Sequence, residues 1–95
     1  MKVYNMKSSN GNNVPNQFII DDGEYTYFQS YQTMIAKYKN DDTTKVYLDK
    51  KWYCSRTTSK YLYSFLWDNV GDNVNKPIVE QKIKDGIYIL TDLNK

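Results

Sequence analysis

Few side chains here can do chemistry at neutral pH. The chain has no histidine and one cysteine, Cys54. Without imidazole there is no neutral-pH proton shuttle and no nitrogen ligand for zinc, which excludes Ser-His-Asp, Cys-His and histidine-based zinc hydrolase sites. Cys54 has no histidine to activate it, so a nucleophilic role is not expected. The carboxylates gather as Asp21-Asp22 with Glu24 and as Asp41-Asp42. Grouped carboxylates can bind a metal, but this spacing matches no EF-hand loop, which needs a glutamate at its twelfth position. Turn formation, which aspartate favours, is the preferred role. The four glycines, Gly11, Gly23, Gly71 and Gly86, sit in turn or cap contexts and form no phosphate-cradling loop. The chain therefore reads as a non-enzyme that needs no cofactor and no metal.

The cations are more suggestive. Lys45, Lys50, Lys51, Arg56 and Lys60 fall within residues 45–60 against the single acid Asp49, so most of the basic excess is local, while the whole chain carries only +2. Trp52, Tyr53 and Tyr61 are interleaved with them, as are Ser55, Thr57 and Thr58, whose hydroxyls and helix-start amides suit phosphate. One reading makes Lys50, Lys51, Trp52, Arg56 and Lys60 a patch for nucleic-acid phosphates or an acidic protein surface, with Arg56 as the fork donor. The other makes them a solvated strand end and helix cap with Trp52 in the core. The second is preferred, because a pI of 8.6 lies below the value of about 9 typical of a clear nucleic-acid-binding domain. Tyr25, Tyr27 and Tyr31 pose a similar choice between a stacking or hot-spot platform and a core role. The core is preferred, since one side of the strand must be buried. If Phe28 is the inward residue instead, the tyrosines face outward, so a one-residue register choice decides.

These residues need elements to position them. Lys2–Met6 alternates polar and apolar and reads as an edge strand, followed by a turn over Ser8–Asn13. Gln17–Asp21 and Glu24–Tyr31 form a hairpin about Asp21-Asp22-Gly23. Tyr31–Lys39 fits helix or strand, with strand preferred, and Lys45–Asp49 pairs back across the polar turn Asn40–Thr44. Trp52-Tyr53-Cys54 extends the sheet by a further strand. A first helix, N-capped by Thr57 or Thr58, runs to about Trp67 with Tyr61, Leu62, Phe65 and Leu66 as its apolar stripe, and ends near Asn69 and Gly71. A second starts at Asn75 and Pro77, turns Ile78, Val79 and Ile83 to one side, and stops at Gly86. Ile87–Thr91 reads as a buried strand. Together they predict an α+β fold: a mostly antiparallel sheet of five or six strands with two helices on one face.

Size and composition agree. Ninety-five residues make one small domain, residues 1–95, with little room for an internal cavity. Ten Tyr, three Phe and two Trp stand against a mean hydropathy of −0.78 and a single alanine, Ala36, which favours strands and a tyrosine-built core. No disulfide can form within the chain, and Asn5–Asn16 is too polar for a signal peptide or a membrane span, so a cytoplasmic protein is expected.

Val14-Pro15-Asn16-Gln17-Phe18-Ile19-Ile20, Tyr27-Phe28-Gln29-Ser30-Tyr31 and Gly86-Ile87-Tyr88-Ile89-Leu90-Thr91 resemble a family of small uncharacterised proteins from phages and prophages of low-GC Gram-positive bacteria. The resemblance spans most of the chain and transfers no catalytic residue. It implies a phage or mobile-element setting, an α+β fold, and stoichiometric binding of a host protein, such as inhibition of a host defence or nucleic-acid-processing complex. The alternative is a weak nucleic-acid-binding protein using the local basic and aromatic patch. A homodimer through the edge strand at Val3–Met6 is a further expectation.

Overall fold

The structure, a computed structural model, describes residues 1–94. Six strands form one sheet in chain order: β1 (Lys2–Lys7), β2 (Asn13–Asp21), β3 (Tyr25–Ser30), β4 (Thr33–Lys39), β5 (Asp42–Asp49) and β6 (Tyr88–Thr91). The first five pair antiparallel through short turns, and β6 joins β5 in parallel after two helices. These are α1 (Arg56–Phe65), continued by one π-helical turn over Leu66–Val70, and α2 (Lys76–Lys84). The α+β architecture read from the sequence is the one observed. No helix among the described residues is long and apolar enough to cross a membrane.

The register of β3 decides which face meets the helices. Thr26, Phe28 and Ser30 are buried, and Tyr25, Tyr27 and Gln29 alternate with them on the other side. The Phe28 ring lies 5.7 Å from that of Phe65 on α1 at an interplanar angle of 26°, and Tyr38 packs on the same ring at 5.9 Å. Around this contact the core closes with Ile35, Leu48, Leu62, Leu66, Val79 and Tyr88. Tyrosine is therefore not the main builder of the core: Tyr38 and Tyr88 are its only buried tyrosines among the described residues, and Phe, Leu, Ile and Val supply most of the rest.

Two irregularities shape the sheet. Phe28 pairs with Ala36, but Gln29 pairs with Met34, so Ile35 is an extra residue and both Ile35 and Ala36 turn inward. On β2 a wider bulge lies between the pairs Asn5/Phe18 and Lys7/Asn13. It accommodates Pro15, which has no N–H for a ladder, and Asn16 at φ 66°, and the Asn5 amide donates to the Val14 carbonyl at 2.9 Å.

Several local expectations are corrected. Trp52-Tyr53-Cys54 is not a strand: residues 50–54 form a connection in which Trp52 is buried and Cys54 is exposed. The α1 cap is Ser55, whose Oγ accepts from the Thr58 N–H at 3.0 Å, because Thr58 itself is buried against Ser30. Of the α2 stripe, Val79 is fully buried and Ile83 partly so, whereas Ile78 is 40% exposed. Strand β6 lies at the sheet edge and buries Tyr88, while Leu90 is 44% exposed and Ile87 falls outside the strand.

Removing the central contact should show this hierarchy. Phe28→Ala should cost about 3–5 kcal/mol in a urea titration and Ser55→Ala about 1 kcal/mol.

Candidate interaction face

The helices cover only the inner side of the sheet. On the outer side, directly paired residues share a face, and the pairs Val3/Ile20, Ile20/Tyr27, Tyr27/Lys37, Lys37/Tyr47 and Tyr47/Ile89 run without a break across all six strands. Phe18, Tyr25 and Met34 lie on the same side. The solvated face of an antiparallel sheet is ordinarily polar. Here the row holds one charge, Lys37, among aliphatic and aromatic side chains. Asn5, Gln29 and Lys39 share this face, so its apolar part is the row itself together with Phe18, Tyr25 and Met34.

Lys37 organises the centre of this face. Its Nζ lies 4.5 Å from the Tyr25 ring centroid and 5.5 Å from that of Tyr47, so the two rings flank the ammonium. Tyr25 and Tyr27 rings stand 6.2 Å apart at 41°. The Tyr27 hydroxyl donates to Asp22 Oδ2 at 3.0 Å, and burial, then this bond, raises the phenol above its ordinary pKa. Asp22 Oδ1 accepts from the Tyr25 and Glu24 N–H groups, which hold its carboxyl below the usual range. The carboxylates of this turn are thus spent on backbone caps: Asp21 likewise accepts from Gly23 N–H and the Asn40 amide, and Asp42 from Thr44.

Tyr25 and Tyr27 accordingly face outward and half-buried, which corrects the core role preferred from sequence. Tyr31 is separate from them. It sits in the β3–β4 turn at φ 56°, 55% exposed, with its N–H donating to the Asn16 carbonyl at 2.7 Å. Sequence reading missed Lys37, Tyr47, Ile20 and Ile89 as members of the same face. The available signal was the period-two alternation counted outward from an inward Phe28.

The basic segment is dispersed by comparison. Lys50 and Lys51 are exposed in the β5–α1 connection, and Arg56 and Lys60, four residues apart, are exposed on α1. Trp52 is 7% exposed and belongs to the core, its ring edge-on to Tyr53 at 5.4 Å. The hydroxyls of Ser55 and Thr58 are committed to the helix cap and to Ser30, and of the three only Thr57 is both exposed and outside that cluster. Tyr53 receives the Lys76 ammonium at 4.3 Å, which ties the connection to α2.

Asp49 anchors this connection. Its Oδ1 accepts from Leu93 N–H at 2.8 Å and its Oδ2 from Lys51 N–H at 2.9 Å. Burial pushes the carboxyl up, but the hydrogen bonds from Leu93, Lys51 and Asn94 outweigh it and hold the pKa below 3.8.

A small α+β protein with a helix-covered and an open sheet face is the class these features define. The chain matches the model of a family of unknown function (DUF8033) over residues 1–86, and it belongs to that family. No curated protein and no solved structure matches it.

Because the folded pKa of Asp49 is depressed, its contribution is present above pH 3.8 and is lost as the pH falls below that value. Asp49→Asn should be less stable than the parent at pH 7 and should lose less stability between about pH 4 and pH 2, measured by urea unfolding.

Proposed function

We propose that this is a phage or prophage accessory protein that works without catalysis, by stoichiometric binding to a host protein through the open face of its sheet. Its target is a host defence or nucleic-acid-processing complex in the host cytoplasm, which it inhibits. The single observation that carries the mode of action is the unbroken row from Val3 to Ile89, apolar and aromatic except for Lys37. Half-buried tyrosines held rigidly on strands offer large contact area at little conformational cost, as interface hot spots do. Lys37 at the centre selects a partner surface with a carboxylate ringed by apolar side chains, since a cation buried without a counter-charge would oppose docking. The ground for the setting is the resemblance carried by Val14–Ile20, Tyr27–Tyr31 and Gly86–Thr91.

The second reading, weak nucleic-acid binding, draws on the exposure of Lys50, Lys51, Arg56 and Lys60. Four cations neutralise few phosphates, so such binding would be weak and lost readily in salt.

Capture from a host lysate with and without nuclease separates the two. The proposal expects one protein partner at fixed stoichiometry that survives nuclease and moderate salt. Lys37→Glu and Tyr47→Ser should each weaken it at least about tenfold with the fold intact, whereas Arg56→Ala leaves it unchanged. Recovery of nucleic acid alone, reduced by Arg56→Ala, would contradict it.

A further inference from the structure

Strand β1 ends the sheet with one side unpaired. Natural sheets usually blunt such an edge by shortening, bulging, charging or covering it. The opposite edge, β6, has four residues, but β1 has six, charged only at its ends by Lys2 and Lys7, and its Val3 and Tyr4 are 59% and 50% exposed. Beside β1, on the helix side, lies a cleft of about 300 Å³ lined by Tyr4, Met6, Lys7, Ile19, Asp68 and Asn69. Its floor is apolar and its far wall is the π-helical turn, which carries the exposed carboxylate of Asp68. Lys7, on the near wall, donates to Asn13 Oδ1.

We propose that β1 docks a second copy of this chain, strand to strand and antiparallel, with Lys2 of each copy set against Asp68 of the other. Directly opposed residues must point to the same face, so the two-fold axis passes through a residue and not between two. Of the two registers that pair five residues of β1, about Tyr4 and about Asn5, only the first sets Lys2 opposite Met6. Pairing about Tyr4 overlaps Lys2–Met6 fully and places Lys2 of the second copy opposite Met6, on the helix side, at the mouth of the cleft that Asp68 walls. The sign of that contact is favourable, and the two-fold axis produces it twice. No acid lies within β1, so no like pair of carboxylates opposes the seam, and Lys2 and Lys7 do not face their own copies in this register. Because the axis is perpendicular to the sheet, both open faces remain on one side, and a six-stranded face becomes a twelve-stranded one. The inference is independent of what binds that face.

Sedimentation of the purified full chain over a range of concentrations tests it. The expected result is a species of twice the 11.3 kDa chain mass, with β1 amides slowing in hydrogen exchange as it forms. Lys2→Glu and Asp68→Lys should each weaken it by about tenfold, because two charge pairs become repulsive, and the double swap should restore it. Circular dichroism of the variants controls for folding, since both side chains are exposed. A monomer at every concentration, a dimer indifferent to both single reversals, or a double swap that restores nothing would overturn the proposal.

Discussion

The stack of Phe28 on Phe65 is the contact from which the rest of the molecule follows. Phe28 occupies the middle of β3, the central strand of the antiparallel run, and Phe65 closes the last regular turn of α1. Their contact, 5.7 Å between ring centres, fixes which side of the sheet is covered. Since strand side chains alternate, that one choice sends Tyr25 and Tyr27 outward, and pairing transmits it to Ile20 on one flank and to Lys37, Tyr47 and Ile89 on the other. A slip of one residue would exchange the core for the open face.

A short chain explains why the second face stays open. Two helices of ten and nine residues, linked through the π-helical turn, are the only helices between β5 and β6 among the described residues, and they cover one side of the sheet. The core is concentrated beneath them, and the bulge at Ile35 adds a further inward residue there without lengthening β4. The outer side chains are left to protect the sheet themselves. They do so by leaning on one another, with Lys37 between two tyrosine rings, which accounts for their half-buried state in the absence of a covering layer. Such a surface is stable in water and still has apolar area to give up to a partner.

Much of this was legible in the residues. The strand periodicity of Glu24–Tyr31, the turn chemistry of Asp21-Asp22-Gly23 and Gly71, and the Asn75-Pro77 helix start each act locally, and each structure formed where the pattern placed it. What escaped was non-local. The core position of Trp52 was legible, but nothing near Trp52-Tyr53-Cys54 says that the strand stops at Asp49, and nothing near Thr58 says that Ser30 claims its hydroxyl. The tyrosine face hung on Phe28, whose partner lies 37 positions along the chain, so alternation gave two answers and could not choose between them. The basic segment was visible as composition, but its division among a turn, a buried ring and a helix surface arises only when the connection is packed against α2.

The central claim is that the open sheet face, not the basic connection, meets the partner. Hydroxyl-radical footprinting of the protein alone and in its captured complex reads this directly, because tyrosines are reactive and lie on both sides of the question. The account predicts strong protection of Tyr25, Tyr27 and Tyr47 with Tyr53 and Tyr61 unchanged. Protection of Tyr53 and Tyr61 with the three sheet tyrosines unaltered would contradict it.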